Sequence, residues 1–207
     1  MVIKVWGRKN SVNVQKVLWC CGELGLRYER VDVRGNFGGT REPGYLAMNP
    51  TGLVPTIEDD GLALWESNTI VRYLSAKYGA ETLWPQDPAA RALADRWMDY
   101  QLGTLWVAFR AAFLGLVRTP PEERDMALIN ASLENTAAAL SILDAHLAGS
   151  EYVAGADLTM GDVALGPTIY RWLNMQIERP RLPNLESWHE RLCARPAYQA
   201  DVMVPFV

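Results

Sequence analysis

Two dipeptides that lie close together in the chain have residue types that suit a small-molecule site. In Val54-Pro55, the proline opens a β-rich run, fixes its own φ and gives no N–H to a strand ladder. In Glu66-Ser67, an acidic group and a hydroxyl stand where a helical pattern begins and where free backbone N–H groups gather. Both pairs have a structural interpretation, a proline at an edge strand and a serine cap. Together they also fit two walls of a binding site.

Residues 1–80 alternate between strand and helix patterns, and these elements must position the two dipeptides. Strands are predicted at VIKVWG, RYERVDV, PTIED and LALWE, and the turn Asp59-Asp60-Gly61 joins the last two as a β-hairpin. Helices are predicted over 12–24, in the short irregular stretch TREPGYLAMNP and over 68–78. The order βαβαββα predicts an α/β domain whose small sheet combines a βαβ crossover with an antiparallel hairpin.

The rest of the chain is predicted to be helical. Residues 81–87 are predicted to be a linker in a proline-containing stretch, and residues 88–207 an all-α helical bundle domain. The predicted helices cover 88–118, a second segment that ends near His146, 159–177 and 184–195. The chain is therefore expected to contain two domains of different fold class.

A strong local folding signal lies in the segment DLTMGDV. Thr159 stands at an N-cap position and Asp162 three residues later, which is an aspartate version of the capping box. Leu158 and Val163 flank these positions as in a hydrophobic staple. The signal concerns folding, and no catalytic role follows from it.

The charge distribution argues against one class of function and mildly favours another. The 207-residue chain has a formal net charge of −4, from 20 Lys and Arg against 24 Asp and Glu. Residues 1–80 hold ten basic and eight acidic side chains, about +2, and residues 81–207 hold ten and sixteen, about −6. The absence of a basic run argues against nucleic-acid binding, and the slight positive excess of the first part suits an anionic small ligand.

Cysteine and histidine usage points to an intracellular protein without a metal. Cys20, Cys21 and Cys193 do not make a disulfide framework, and His146 and His189 have no companions at metal-ligand spacing. The chain shows no signal-peptide pattern and no uninterrupted apolar run near the roughly 18 residues that span a bilayer. These features predict a cytoplasmic protein with no metal, membrane or nucleic-acid partner.

Taken in order, these motifs resemble the cytosolic glutathione transferases, and among them the bacterial and theta-like serine groups. The resemblance covers essentially the whole chain and is carried by NPTGLVPTIEDDG, LWESNTIVRYL, the short linker and LTMGD. It implies a thioredoxin-like N-terminal domain, glutathione as co-substrate, and a homodimer with helices 68–78 and 88–118 near its two-fold axis. No tyrosine lies in the first 27 residues, so a tyrosine-type catalytic residue on the first loop is excluded.

The resemblance implies that the two dipeptides hold glutathione. A cis Pro55 would turn the backbone N–H and C=O of Val54 outward, where the extended cysteinyl part could pair with them as an added strand. The alternative is a trans proline that only starts an edge strand. Ser67 and the first-turn N–H groups would bind the γ-glutamyl carboxylate, and Glu66 would accept from the ammonium. A capping role for Ser67 is compatible with this.

The resemblance also implies that a donor on the first loop activates the thiol. Ser11 matches the serine of the theta-like pattern, and its structural alternative is an N-cap for helix 12–24. Asn10 and Asn13 remain alternative donors, because Asn13 replaces the proline often found in that loop.

The remaining parts of the implied site are less defined. Thr40 and Arg41 are the candidates for the glycyl carboxylate, and a solvated surface role for Arg41 is the alternative. The second substrate is expected between the domains, in an apolar pocket. Candidate walls are aromatic residues of the helical domain, all of which could equally belong to the core: Trp106, Phe109, Phe113 and Trp172.

The leading hypothesis is a detoxifying transferase that conjugates the glutathione thiolate to small hydrophobic electrophiles. A glutathione-dependent disulfide reductase, dehalogenase or isomerase on the same site is an alternative. A further alternative is a non-catalytic binding or regulatory protein of the same fold. The lack of a cysteine on the first loop argues against a dithiol mechanism, and the presence of Ser11, Glu66 and Ser67 favours an enzyme.

Overall fold

Four short strands form one mixed sheet in a computed structural model that describes residues 2–80 and 82–206. The strand order is β2-β1-β3-β4. β1 pairs parallel with β2 and antiparallel with β3, and β3 pairs antiparallel with β4. The strands are β1 (Ile3–Trp6), β2 (Tyr28–Val31), β3 (Thr56–Asp59) and β4 (Leu62–Trp65).

The described residues contain nine α-helices, where the sequence predicts seven helical segments, and three of the nine accompany the sheet. These three are α1 (Val12–Glu23), α2 (Pro43–Met48) and α3 (Ser67–Tyr78). The helical domain contains α4 (Pro88–Tyr100), α5 (Trp106–Val117), α6 (Met126–Leu147), α7 (Met160–Asn174), α8 (Pro183–Cys193) and α9 (Pro196–Asp201). The predicted fold class, a βαβαββα thioredoxin-like domain followed by an all-α domain, is therefore confirmed.

The hairpin turn forms as its residue types predict. Asp60 has φ 51° and Gly61 has φ 80°. Two successive positive φ values characterise the type I′ turn, whose twist matches that of the flanking strands. The turn fixes the register of the hairpin, with Asp59 opposite Leu62 and Thr56 opposite Trp65.

The antiparallel placement of β3 brings three loops to one edge of the sheet. Thr56, the first residue of β3, pairs with Trp6 at the end of β1 and with Trp65 at the end of β4. The loop after β1, the residues before β3 and the start of α3 consequently leave the sheet side by side. All the functional residues predicted in the first 80 positions except Thr40 and Arg41 lie in these segments.

Gly7 allows two of these segments to approach closely. Its φ is 153°, and a β-carbon at this position would collide with Val14 and press against Val54, 3.3 Å from the β-carbon of the latter. Because glycine has no side chain, the loop after β1 can pass directly beside the residues that precede β3. Any larger residue would separate the walls of the site.

The predicted long helix over 88–118 is continuous but contains a wider turn. Residues 101–105 adopt a π-helical turn between α4 and α5. A π-turn adds a residue to the helix and rotates every side chain that follows it relative to the preceding face. The periodicity of the sequence gives no sign of this rotation, which changes the direction of the aromatic residues on α5.

The capping box of α7 also links three parts of the helical domain. Asp162 accepts hydrogen bonds from the Thr159 N–H at 2.9 Å and the Thr159 hydroxyl at 3.1 Å. It also accepts from the Val153 N–H at 3.0 Å and from Nε1 of Trp188 on α8 at 2.9 Å. Burial raises the pKa of Asp162, and these donors act in the opposite direction. The predicted folding signal is confirmed.

α1 lies between the sheet domain and the helical domain. It contacts α3 on one side and α7 and α9 on the other. As a result Gln15 and Lys16, which belong to the polar side of the sequence pattern, are as buried as the apolar face. The two domains share this helix as a common core element.

Two helical stretches, Pro88–Val117 and Met126–Leu147, are long and apolar enough to cross a membrane on length and composition alone. The sequence prediction considered only uninterrupted apolar runs, which charged residues such as Asp95 and Asp99 break. Core helices of globular proteins pass the same test, and α5 and α6 pack directly against each other. This is weak evidence for a membrane span.

Candidate active site

A cavity of about 230 Å³ opens at this edge of the sheet, beside the loop after β1 and the residues before β3. One wall comes from the loop after β1 and the start of α1, and includes Ser11. The segment before β3 contributes Val54, and α5 contributes Trp106 and Phe113 from the helical domain. The cavity therefore lies at the junction of the two domains.

The Ser11 hydroxyl is available to a ligand in this cavity. Ser11 occupies the N-cap position of α1 with φ −83° and ψ 127°, and its carbonyl accepts from the Gln15 N–H at 2.9 Å. Its side chain makes no cap hydrogen bond. The position is that of an N-cap, as the structural alternative predicts, but the hydroxyl does not perform the capping.

The two alternative donors line the same cavity. The Oδ1 of Asn10 accepts from Nη1 of Arg8 at 2.7 Å, and the Asn10 carbonyl accepts from Nη2 of Arg171 at 3.0 Å. Asn13 is the second residue of α1 and also lines the cavity. The geometry thus brings Ser11, Asn10 and Asn13 together without excluding any of them as the donor.

Val54 presents its backbone to the cavity. The Val54-Pro55 bond is cis. The preceding carbonyl, that of Leu53, is fixed by the Tyr45 hydroxyl at 2.5 Å and by Nδ2 of Asn49 at 3.0 Å. Val54 itself lies outside the strand ladder, and in the described part of the chain its N–H and C=O have no hydrogen-bond partner. An extended ligand could pair with both groups.

Glu66 and Ser67 stand at the start of α3, beside Val54-Pro55. Since Thr56 pairs with Trp65, the next residues outward, Pro55 and Glu66, leave the ladder next to each other. Glu66 is exposed and has φ 70°, a conformation that costs energy for a non-glycine residue and is concentrated at functional sites. Ser67 is 6% exposed at the first helical position. Neither residue lines the cavity described above.

Arg34, which was not among the residues predicted from the sequence, is a basic residue of the sheet domain at this cavity. It lines the cavity, and its Nη1 donates to the Gly52 carbonyl at 3.3 Å. Thr40 is nearly buried, Arg41 is exposed, and neither lines the cavity. The loop after β2 has no periodic pattern, and its polar residues therefore cannot be told apart from the sequence.

Two of the four predicted aromatic walls belong to the core instead. Trp106 and Phe113 line the cavity, whereas Phe109 is 0% and Trp172 2% exposed. The Phe109 and Trp172 rings meet edge to face at 5.8 Å between α5 and α7. The physical reason is position along the helix: the three aromatic residues lie on one side of α5, and Phe109 sits where α5 packs against Trp172 of α7, whereas Trp106 and Phe113 lie about one turn before and after this contact.

The cavity also contains a set of arginines that the sequence analysis missed. Arg8 and Arg34 come from the sheet domain, and Arg110, Arg118 and Arg171 come from the helical domain. Arg171 is 1% exposed, and it donates to Oε1 of Gln15 at 2.6 Å. An arginine within the long apolar stretch of α7 is a signal that sequence analysis could have used.

A buried polar network lies behind the cavity and connects the domains. Nζ of Lys16 donates to Oε1 of Gln101 at 2.7 Å and to Oδ1 of Asn68 at 3.1 Å. Gln101 belongs to the π-turn, and its Nε2 donates to Thr168 on α7 at 3.3 Å. Burial lowers the pKa of Lys16 to about 7, and the charge of Glu66 opposes this change. The network fixes the start of α3 relative to α1 and α7.

The cysteines have no direct part in this site. Cys20 and Cys21 are buried in α1, and burial raises the pKa of Cys20 to about 12. Cys193 lies near the end of α8. Among residues 2–80 and 82–206, no cysteine lines the cavity and no group of three His, Cys, Asp or Glu could hold a metal ion.

The fold and site together define a thioredoxin-like domain joined to a helical bundle, with a cationic cavity at the junction. Residues 10–77 match the family described as glutathione S-transferase, N-terminal domain, and residues 126–191 match glutathione S-transferase, C-terminal domain. Over 99% of both chains, the sequence is 47% identical to glutathione S-transferase GstB of Escherichia coli strain K12. It is 30% identical to glutathione S-transferase F13 of Arabidopsis thaliana over 96% of this chain and 94% of the relative.

A solved structure agrees with these sequence matches. The theta class glutathione S-transferase from Xanthomonas axonopodis pv. citri, with glutathione bound, has a TM-score of 0.97 and 51% identity, covering 100% of this chain and 99% of that one. The apo form of the same theta class protein has a TM-score of 0.87. The chain belongs to the glutathione S-transferase family.

The buried Lys16 predicts a pH-dependent contribution to stability. Its folded pKa of about 7 lies below the ordinary value of 10.5, so the unfolded chain binds more protons between these two pH values. The contribution of Lys16 to the free energy of unfolding therefore rises with pH across this window. Relative to Lys16→Met, the native protein should gain up to about 3 kcal/mol between about pH 7 and pH 9.5. Urea unfolding at both pH values measures this difference.

The exposed Lys9→Met variant is the control for the loss of one lysine charge. A stability difference between the native protein and Lys16→Met that stays constant with pH would contradict the burial of a titrating ammonium.

Proposed function

We propose that this chain is an active glutathione transferase of the serine type, in which Ser11 donates a hydrogen bond to the thiolate of bound glutathione. The observation that carries the proposal is the Ser11 hydroxyl, which faces the cavity beside Val54 and caps no helix. The relative solved with glutathione supports glutathione as the co-substrate.

Glutathione would lie across the edge of the sheet. Its cysteinyl part pairs with the backbone of Val54, and its γ-glutamyl carboxylate accepts from Ser67 and the first N–H groups of α3, where the helix dipole favours an anion. Glu66 accepts from the ammonium. Arg34 is the group best placed for the glycyl carboxylate, because it lines the cavity whereas Arg41 does not.

The energies required are within reach of these residues. A free thiol has a pKa near 8.5, and lowering it by about two units requires about 2.7 kcal/mol of differential stabilisation. A hydrogen bond to a charged acceptor supplies about 1.5–3 kcal/mol. The sulfur then attacks an electrophilic carbon: the C–S bond forms, a leaving group departs with its bonding electrons, and the thiol proton passes to solvent.

The alternatives differ in what they require from the same site. Disulfide reduction by a protein dithiol has no support, because in the described ranges no cysteine lines the cavity. Dehalogenation and isomerisation use the same thiolate and depend on the second substrate. A purely binding role is disfavoured by the open Ser11 hydroxyl.

The free cysteines suit a reducing compartment, and we propose the cytoplasm.

Replacing Ser11 tests the activating role. Ser11→Ala should raise the pKa of the bound glutathione thiol by about one to two units, since one charged hydrogen bond is lost. Glutathione affinity should change little. Thiolate absorbance of the complex, titrated against pH, measures the shift.

Asn10→Ala and Asn13→Ala are the matched controls in the same loop. If either of them moves the ionisation of the bound thiol and Ser11→Ala does not, the activating role passes to that asparagine.

Replacing Ser67 tests the γ-glutamyl site. Ser67→Ala should weaken glutathione binding by roughly 1–3 kcal/mol, because a charged carboxylate loses a donor. Calorimetric titration with glutathione measures the dissociation constant. Ser75→Ala, on the same helix and away from the cavity, is the control. An unchanged dissociation constant in Ser67→Ala would remove this residue from the site.

We also propose a homodimer, formed by the face of the helical domain that carries exposed apolar residues. Val107 on α5 is 67% exposed. Leu102, in the π-turn before α5, and Leu128, on the adjoining α6, are also exposed. Sedimentation should show a dimer, and Val107→Asp should shift it towards monomer because a charge replaces a buried apolar contact. Met203→Asp, beyond α9, is the control. A native monomer would overturn this proposal.

A further inference from the structure

We propose that the second substrate is an anionic aromatic electrophile, whose carboxylate or similar group binds Arg118 and Arg110 while its ring lies against Trp106 and Phe113. The inference rests on the proposed function and specifies the substrate class of that site. It follows from the charge of the cavity, the placement of its arginines and the aromatic walls beside them.

The cavity gathers positive charge without a compensating acid. Five arginines line it, and none of its lining residues among 2–80 and 82–206 is an aspartate or glutamate. The ion pairs of the described ranges involve other arginines and lysines, such as Arg72 with Asp95 and Arg195 with Glu23. A second cavity of about 320 Å³ adjoins the first and shares Arg8 and Arg118 with it.

The guanidinium of Arg171 is held in place by hydrogen bonds, but one of its donors is not used by any described residue. Its Nη atoms donate to Gln15 and to the carbonyls of Pro167 and Asn10, which fixes the guanidinium. Its Nε is buried and has no hydrogen-bond partner within the described part of the chain. Burial lowers the pKa of Arg171 to about 9, and the neighbouring Arg118 and Arg8 add to this. Buried guanidiniums are normally paired with an anion, so the site is incomplete without one.

The Nε of Arg8 is a second buried donor that no described residue uses. It is buried without a hydrogen-bond partner among the residues that the structure describes, and only the Nη1 donation to Asn10 orients the side chain. Burial lowers the pKa of Arg8, with the charges of Arg118 and Arg34 acting in the same direction. Like charges held this close repel one another unless an anion binds among them.

Glutathione does not account for the whole of this charge. One of its carboxylates belongs at the start of α3, away from the cavity arginines, and its ammonium carries a positive charge. The glycyl carboxylate and the thiolate can be matched by Arg34 and Arg8 from the sheet domain. The three arginines of the helical domain, Arg110, Arg118 and Arg171, then remain without an anion.

These three arginines belong to the wall that the helical domain contributes to the cavity, where the inference places the second substrate. Arg110 is on α5 between Trp106 and Phe113, and Arg118 follows the end of the same helix. Arg118 is held by a hydrogen bond from its Nη2 to the Phe206 carbonyl at 2.9 Å. The Arg171 guanidinium lies 5.7 Å from the Phe113 ring, which closes the inner end. Aromatic walls with charged guanidiniums at the rim suit a flat ring that bears an anion.

The reaction with such a substrate is a simple displacement. The glutathione thiolate attacks a chlorine-bearing carbon of an electron-poor ring, the C–S bond forms, and chloride leaves with the electrons of the C–Cl bond. The proton of the original thiol goes to solvent. The carboxylate of the ring takes no part in bond changes and serves only for binding and orientation.

The test compares two electrophiles that differ in charge, 4-chloro-3,5-dinitrobenzoate and 4-chloro-3,5-dinitrobenzamide. For each, kcat/KM is divided by the rate constant of the uncatalysed reaction with glutathione at the same pH, which removes the difference in intrinsic reactivity. We expect the benzoate to be preferred by about tenfold or more at low salt, with the preference decreasing as salt screens the arginines.

Two variants locate the effect and a third controls it. Arg118→Gln and Arg110→Gln should each reduce the preference for the benzoate several-fold. Arg181→Gln removes the same charge from an exposed position outside the cavity and should leave the preference unchanged. A normalised preference near one in the native protein, or one that Arg118→Gln and Arg110→Gln do not alter, would overturn the inference.

Binding of the two S-aryl glutathione products separates this inference from the proposed function. Calorimetry should show tighter binding of the carboxylate conjugate than of the carboxamide conjugate, whether or not turnover occurs. If neither electrophile is turned over but the carboxylate conjugate is preferred, the transferase proposal fails and the anionic site stands. If turnover occurs and both conjugates bind equally, the transferase stands and the anionic site fails.

Discussion

The antiparallel pairing of β3 with both of its neighbours is the constraint on which the rest of the site depends. Because Thr56 pairs with Trp6 and Trp65, residues distant in sequence leave the sheet at one edge. A slip of one residue in either ladder would turn every side chain of β3 to the opposite face. The type I′ turn at Asp60-Gly61 fixes the register of β3 with β4. The site at the start of β3 therefore depends on the hairpin turn at the end of the same strand.

The second requirement is a shared helix that holds the two domains in one orientation. Gln15 of α1 accepts from Arg171 of α7, and Lys16 of the same helix reaches Gln101 in the π-turn. Buried hydrogen bonds between polar groups are costly to leave unmade, so each of them opposes separation of the domains. The cavity wall formed by α5 is thereby held at a defined distance from Ser11. Catalysis by proximity requires such a fixed distance.

Features that follow from local sequence rules could be predicted. Features that depend on packing between the domains, such as which side chains are buried or line the cavity, could not. The hairpin turn, the Thr159–Asp162 box and the position of Ser11 each follow from residue types at fixed spacing. Phe109 and Phe113 are both buried on the same helix, and only the contact of Phe109 with Trp172 of α7 explains why Phe113 lines the cavity and Phe109 does not. Lys16 resembles a solvated residue in a helical pattern, and its burial follows from packing between the domains. Arg34 lies in a loop without periodicity.

The positive charge of the cavity would act on both proposed reactants, the glutathione thiolate and the electrophile. A guanidinium several ångströms from the sulfur, at an effective dielectric constant of about 20, stabilises a negative charge by a few kcal/mol. This is comparable to the hydrogen bond that we propose for Ser11, so in this proposal the field of the cluster stabilises the thiolate in addition to one donor. The same field repels cationic electrophiles and attracts anionic ones. Burying Arg171 without an acid lowers the stability of the free protein, and a bound anion at this position would relieve that cost.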